Sequence, residues 1–369
     1  GMVPNDASKA KENGNLFIQT LNKYGGIVID DVYYIGTPSE ELTSRDVVIL
    51  GAENGELISA INSNTKLFSP DNLDSITIKD IKFTNNNETR EFLIIYNPIR
   101  TNAKVNSVSI QNCIFKGNIS LYRQYGDITL DPDITDYGID SFTFCNNEIF
   151  NTGLSFIVLD DIPVANCIVN NNIIRNFNYS FLRIAITNGI PFEQKLYDHI
   201  KYLEVDKNTV ICEDNWWGKT SLGSYYTFVL YEGTEVLYKN NYVEGMKALE
   251  DIALYDAYIN AEIVNYTNNT WKNNICFAEE KENNTLLKSK GGGKKPLKRN
   301  YSNNTFIIEE NFAEKLGQSK NNLKIDFISL SQYTESYIID NNHFYVYDIR
   351  FPKSSLMIGN YTFSNNTVK

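Results

Sequence analysis

Phe142-Thr143-Phe144-Cys145-Asn146-Asn147-Glu148-Ile149 is the stretch on which the fold turns. Phe142 and Phe144 are two residues apart, so they share one face of an extended strand. Asn146 and Asn147 then interrupt it. Asparagine tolerates the left-handed backbone region and can hydrogen-bond its own main chain, so it turns a chain sharply. Ile149 returns to the same inward face beyond the turn. The stretch reads as strand, tight turn, strand, with apolar side chains on one side throughout.

The same template of apolar, x, apolar, x, Asn, Asn, x, apolar recurs in ten copies. It starts at Ile76, Val108, Phe142, Cys167, Leu203, Val236, Val264, Arg299, Tyr337 and Tyr361. The first-Asn slots lie 24 to 38 residues apart. The departures are Asp80 and Lys207 in the first slot, Ile81 and Cys113 in the second, and Arg299 in an apolar position. One coil cannot bury its apolar face alone and needs neighbours above and below. Stacked coils would place equivalent asparagines about 4.8 Å apart, close enough for a hydrogen-bonded ladder. The uneven spacing argues against helical or leucine-rich repeats. Ten copies in register argue against a β-sandwich with Asn-rich hairpins.

A third strand precedes each Asn strand. The candidates are Phe92–Tyr96, Ile119–Arg123, Phe156–Asp160, Phe181–Ile186, Phe228–Tyr231, Ile252–Tyr255, Leu286–Lys288, Phe327–Leu330 and Ser355–Ile358. Residues Asp6–Tyr24 read as a helix, with Asp6 as N-cap, Phe17, Leu21 and Tyr24 on one face, and Gly25-Gly26 as the stop. Ile27–Ile35 and Val47–Ala52 read as the first strands. The expected architecture is all-β: a single right-handed parallel β-helix of about ten coils over residues 27–369, with three strands per coil. A capping helix region, residues 1–26, covers backbone that the first coil would leave unpaired.

Composition agrees. The 369 residues include 49 Asn, 24 Tyr and 20 Phe but 3 Met, which suits many short strands joined by tight turns. A net charge of −11 argues against nucleic acid. It also disfavours a polyanionic glycan unless Ca²⁺ or a local basic patch intervenes. Cys113, Cys145, Cys167, Cys212 and Cys276 are odd in number and lack C-x-x-C spacing, so free thiols, some of them buried, are expected. His199 and His343 lack metal-ligand spacing. No apolar run reaches membrane-spanning length. Gly1 ahead of Met2 reads as a tag remnant, and a secretory leader is expected to have been removed.

The helix, the run from Gly25-Gly26 to Ile35, the turn at Leu50–Gly55 and the Asn-turn repeat together resemble the pectate-lyase-like superfamily of right-handed β-helices. The resemblance spans nearly the whole chain. It implies the fold, and it implies that carbohydrate sites lie on the outer face of the strand before the Asn strand. Enzymes and non-enzymes share this solenoid, so it does not choose an activity. The G-H-G of the polygalacturonase-like hydrolases and the W-x-D-H of pectate lyases are both missing from this chain.

On that outer face successive coils offer Arg123, Asp160 with Asp161, Arg183, Tyr231 with Glu232, Tyr255 with Asp256, and Lys288 with Lys290. Asp160 and Arg183 are expected to be neighbours, with Glu232 farther off. In a lyase, Arg183 or Lys288 would take the proton α to a uronate carboxyl, and Ca²⁺ on Asp160, Asp161 or Asp256 would neutralise that carboxyl. In a glycoside hydrolase, Asp160 and Glu232 would serve as acid and base. Otherwise the row is a solvated charged face. Trp216 and Trp217 either stack on sugar rings or fold back as an apolar plug. The Gly-Lys loop Lys288–Arg299 either meets an acidic glycan or is a solvated loop, and Glu309–Leu316 could form a short inserted helix. The reading is a monomeric, secreted, cell-surface or periplasmic bacterial protein that processes polysaccharide, lyase-like before hydrolase-like. Substrate would be bound by Arg123, Trp216, Trp217, Tyr231 and Tyr255. The rival is a non-catalytic carbohydrate-binding or adhesive rod.

Overall fold

In a computed structural model, the structure describes residues 1–101, 103–126, 138–177, 180–185, 200–213, 226–245, 247–248, 258–277, 284–288, 297–309, 311, 325–329, 334–346, 349–350 and 360–369. The chain divides into two compact units, Gly1–Phe177 with Leu182–Asn188, and Asn178–Phe181 with Gly189–Lys369.

Each unit is a parallel β-helix, right-handed as parallel crossovers are. In the first unit Ser75–Lys79, Lys104–Gln111, Gly138–Cys145 and Val164–Asn170 stack in parallel as the Asn strands, continuing the strand Asp46–Gly51 of the first coil. Val32–Ile35, Glu56–Ser59, Lys82–Asn85, Ile114–Gly117, Glu148–Thr152 and Ile173–Phe177 form the second ladder. The third is Thr65–Phe68, Phe92–Tyr96, Ile119–Tyr125, Ile157–Asp160 and, of the strand Ser180–Ala185, its part from Leu182. The second unit repeats the plan. Its Asn strands are Ile200–Asp206, Tyr226–Lys239, Tyr258–Thr267, Leu297–Ser302, Thr334–Asp340 and Asn360–Ser364. Among the described residues the antiparallel exception is Ile275–Phe277 against Asn284–Lys288.

The turn chemistry explains the stacking. All ten first slots adopt positive φ between 53° and 61°, Asp80 and Lys207 included. The second asparagine points inward and bridges coils. Asn147 Oδ1 accepts from Cys113 N at 2.8 Å, and Asn172 Oδ1 from Asn147 N at 2.9 Å. In the second unit the chain Asn208, Asn241, Asn269, Asn304, Asn342, Asn366 repeats this bond at 2.9 Å each time. A second turn, not evident from the repeat template, follows five residues after the first slot. There Gly117, Asn151, Asn176, Gly245 and Asn273 also take positive φ.

Apolar template positions line the interior. Phe83, Phe115 and Phe144 stack in the first unit at 5.3 and 6.2 Å. Trp271, Phe306 and Phe344 stack in the second at 4.8 and 5.0 Å. Arg299 also points inward. It is buried in the column between Val264 and Tyr337, and the charge of its guanidinium interacts with Tyr301, Tyr337 and Tyr266.

The helix spans Ala10–Tyr24, preceded by a 3₁₀ turn whose N-cap is Asp6, and ends at left-handed Gly25. Phe17 and Leu21 are buried as expected, but Tyr24 is 69% exposed. Its place on the buried face is taken by Ala10, Asn13, Gly14 and Ile18. Asn13 bonds the Val3 and Tyr34 carbonyls, and a Cβ on Gly14 would stand 2.1 Å from the Gly36 carbonyl oxygen. The helix is thus seated tightly on the first coil. No described helix is long and apolar enough to cross a membrane.

Candidate functional site

The outer face of the third ladder in the first unit gathers the charged residues expected there. Parallel register makes Tyr96, Arg123, Val158 and Arg183 partners on successive rungs, with Tyr125, Asp160 and Ala185 two residues farther along. Alternation fixes which side chains face out. Tyr122 and Gln124 are buried inside, where Tyr122 donates to Gln124 Oε1 at 2.7 Å, while Arg123 and Tyr125 reach the surface.

Asp160 and Arg183 are brought together: Arg183 Nε donates to Asp160 Oδ1 at 3.0 Å. The Asp160 side chain is 7% exposed and that of Arg183 33%. Burial pushes the Asp160 carboxyl up to about 6, and neighbouring Asp161 adds to this, against the opposing charges of Arg183 and Arg100. A carboxyl held there exchanges its proton near neutral pH, as acid–base chemistry requires.

Asp161 has a different part. It is fully buried, its backbone is left-handed at φ 57°, and its carboxylate accepts from Arg100 Nη1. Arg100 Nη1 also donates to the Gly126 carbonyl at 2.9 Å. The Gly126 N–H donates to the Asp160 carbonyl at 2.8 Å, and a Cβ on Gly126 would meet the Asp161 carbonyl oxygen at 2.1 Å. The loop bearing Arg100 is pinned through Asp71, which accepts from Asn97 Nδ2 and, at 2.6 Å, from Thr101 Oγ1. Arg100, Asp71 and Gly126 were not singled out from the sequence. The local signal was the Asn97-Pro98 turn, which aims the next residues back at the wall.

Arg123 is anchored by neutral groups: Nε donates to Ser120 Oγ at 2.8 Å and Nη2 to the Ser155 carbonyl at 3.3 Å. Among the described residues no carboxylate pairs with it.

The remaining candidates are not assembled here. Tyr231 and Glu232 lie in the strand Tyr226–Lys239, and Lys288 in Asn284–Lys288, but their side chains lie outside the described part. Trp216, Trp217, Tyr255, Asp256, Lys290, His199 and most of Glu309–Leu316 lie outside the described residues. His343 Nδ1 sits 2.7 Å from Thr367 Oγ1. Cys113, Cys145, Cys167 and Cys212 are free thiols, and burial pushes Cys113 up to about 12.

Of the expected Ca²⁺ ligands, Asp160 and Asp161 are each engaged by a guanidinium, and Asp256 lies outside the described residues. Among the described residues no three His, Cys, Asp or Glu side chains converge on one point.

No protein-family model matches the chain, and no curated protein matches it. Among solved structures it is similar to the Azotobacter vinelandii mannuronan C-5 epimerase AlgE6 A-module, at 12% identity and a TM-score of 0.41, over 100% of this chain and 96% of that one. A likeness that remote assigns no activity.

Proposed function

We propose that this parallel β-helix processes polysaccharide, and that the outer face of its first unit cleaves an acidic glycan by β-elimination. The observation that carries the reading is the Asp160–Arg183 pair on adjacent rungs, in which a nearly buried carboxyl with raised proton affinity is held by a part-exposed guanidinium. The roles differ from the sequence expectation. A guanidinium bonded to a carboxylate stays protonated, so Arg183 is a poor base. Asp160 is the better one.

In this reading the Asp160 carboxylate removes the proton α to a uronate carboxyl. Arg183 is the cation beside the negative charge that develops there. The electron pair left on carbon forms a C=C bond as the β C–O glycosidic bond breaks, and the departing oxygen takes a proton from solvent. Asp161, Arg100 and Gly126 hold Asp160 in place. A polymeric substrate implies work outside the cytoplasm, at the cell surface or in the periplasm, and nothing in the reaction asks for more than one chain.

The test is ultraviolet absorbance of unsaturated uronate across a panel of uronic-acid glycans, with Ca²⁺ or chelator. We expect product without Ca²⁺ and a loss of about 10³-fold in kcat/KM for Asp160→Asn. New reducing ends without the ultraviolet signal would replace the lyase by a hydrolase. Binding without any new ends would leave a carbohydrate-binding rod.

A further inference from the structure

We infer that Arg123 is a specificity-determining residue, which recognises a second carboxylate of a linear polyuronate laid along the coil axis of the first unit. This rests on the proposed glycan-processing reading and extends it from the reacting sugar to another sugar farther along the same chain.

Three observations support it. First, among the described residues no carboxylate compensates the Arg123 charge. Arg100 and Arg183 each hold an aspartate, whereas Arg123 is fixed by a hydroxyl and a carbonyl that orient its fork without neutralising it. A guanidinium so held is suited to bidentate capture of a carboxylate. Second, its position fits a polymer. Arg123 lies one rung from Val158 and two from Arg183 in one register column, so the two guanidinium-bearing rungs are roughly 10 Å apart along the axis. Third, a further cation lies beside the column, from Lys66, which pairs with Leu93, three residues before Tyr96. Tyr96 occupies the rung before Arg123, and Lys66 Nζ, from the rung before that, lies 4.9 Å from the Tyr96 ring centre. Arg123 and Arg183 thus occupy alternate rungs of one column, with Lys66 to one side of it, in a protein of net charge −11. A linear chain of acidic sugars along the axis meets both guanidinium rungs, whereas one lying along a strand does not.

The experiment measures binding in the Asp160→Asn background, so that turnover does not consume ligand. The probes are galacturonate, mannuronate and glucuronate-containing oligomers, each beside its carboxyl-reduced counterpart. The expected result is that at least one acidic oligomer binds more tightly than its reduced form, and that Arg123→Gln weakens the acidic oligomer at least tenfold while leaving the reduced one unchanged. Arg123→Lys, which keeps the charge without the fork, should recover part of the loss. Equal discrimination by Arg123→Gln and its parent overturns the inference, provided circular dichroism and melting show both folded, and so does the absence of preference for any acidic oligomer. Arg123-dependent binding with no elimination by the wild type would sustain this inference and sink the elimination chemistry. Elimination indifferent to Arg123 would do the reverse.

Discussion

Lys207 occupies a left-handed slot, φ 56°, that Asn or Asp fills in the other nine copies. A side chain with a Cβ is strained there, and asparagine less than most, because its amide can bond locally. Lys207→Asn should therefore raise stability by about 0.5–1 kcal/mol, read as a higher denaturant midpoint with unchanged slope. Asp160 makes the opposite kind of statement. Its folded-state carboxyl, near 6, lies above the ordinary 3.8. The folded state thus holds this proton more tightly than the unfolded chain does. The contribution of that proton to stability is complete below about pH 4 and is lost as pH rises through about 6, some 3 kcal/mol in all. The stability difference between Asp160→Asn and wild type should shift in favour of the variant across that window and stay level above it, as measured by unfolding at stepped pH. The same titration gives kcat/KM a rise through about pH 6, since the base must be deprotonated.

The two asparagines of a turn do different work, and substitution separates them. Asn268 turns outward at φ 57° and donates to Asn240 Oδ1 at 2.7 Å on the surface. Asn269 is buried, accepts from Asn241 N at 2.9 Å, and donates to Asn304 Oδ1 at 3.1 Å and to the Tyr238 carbonyl at 2.8 Å. Asn269→Ala should cost roughly 3 kcal/mol or more, because it strands buried groups on neighbouring coils, against about 1 kcal/mol for Asn268→Ala. Comparing the two melting curves settles the order. The turn template was legible because both asparagines recur at fixed offset from alternating apolar residues. The second turn was less legible because its positions alternate between Gly117 or Gly245 and Asn151, Asn176 or Asn273, and no single residue marks it.

At the scale of the molecule, each coil is held mainly by the coils beside it, so damage should spread by adjacency. Phe115 touches Phe83, Phe144 and Phe156 at 5.3, 6.2 and 5.1 Å. Phe115→Ala should cost about 4 kcal/mol and lower amide-exchange protection most in the rungs of Phe83 and Phe144, with the loss tapering along the first unit. Uniform loss over that unit would contradict the nearest-neighbour picture. What the sequence alone determined is the repeating unit: which template slots turn left-handed, which positions point inward, and that a helix precedes the first coil. These are local consequences of side-chain period and turn chemistry. The inward-facing Arg299 was marked by its place in the template, but not its tyrosine surroundings. The Asp160–Arg183 meeting was expected from the row of outward residues, whereas only the tertiary structure brought Arg100 to Asp161. Asp160 finds Arg183 across 23 residues, and Asp161 finds Arg100 across 61, because loop lengths set the register between coils. A strand pattern of period two names the outward residues of every rung but leaves their alignment to the stack.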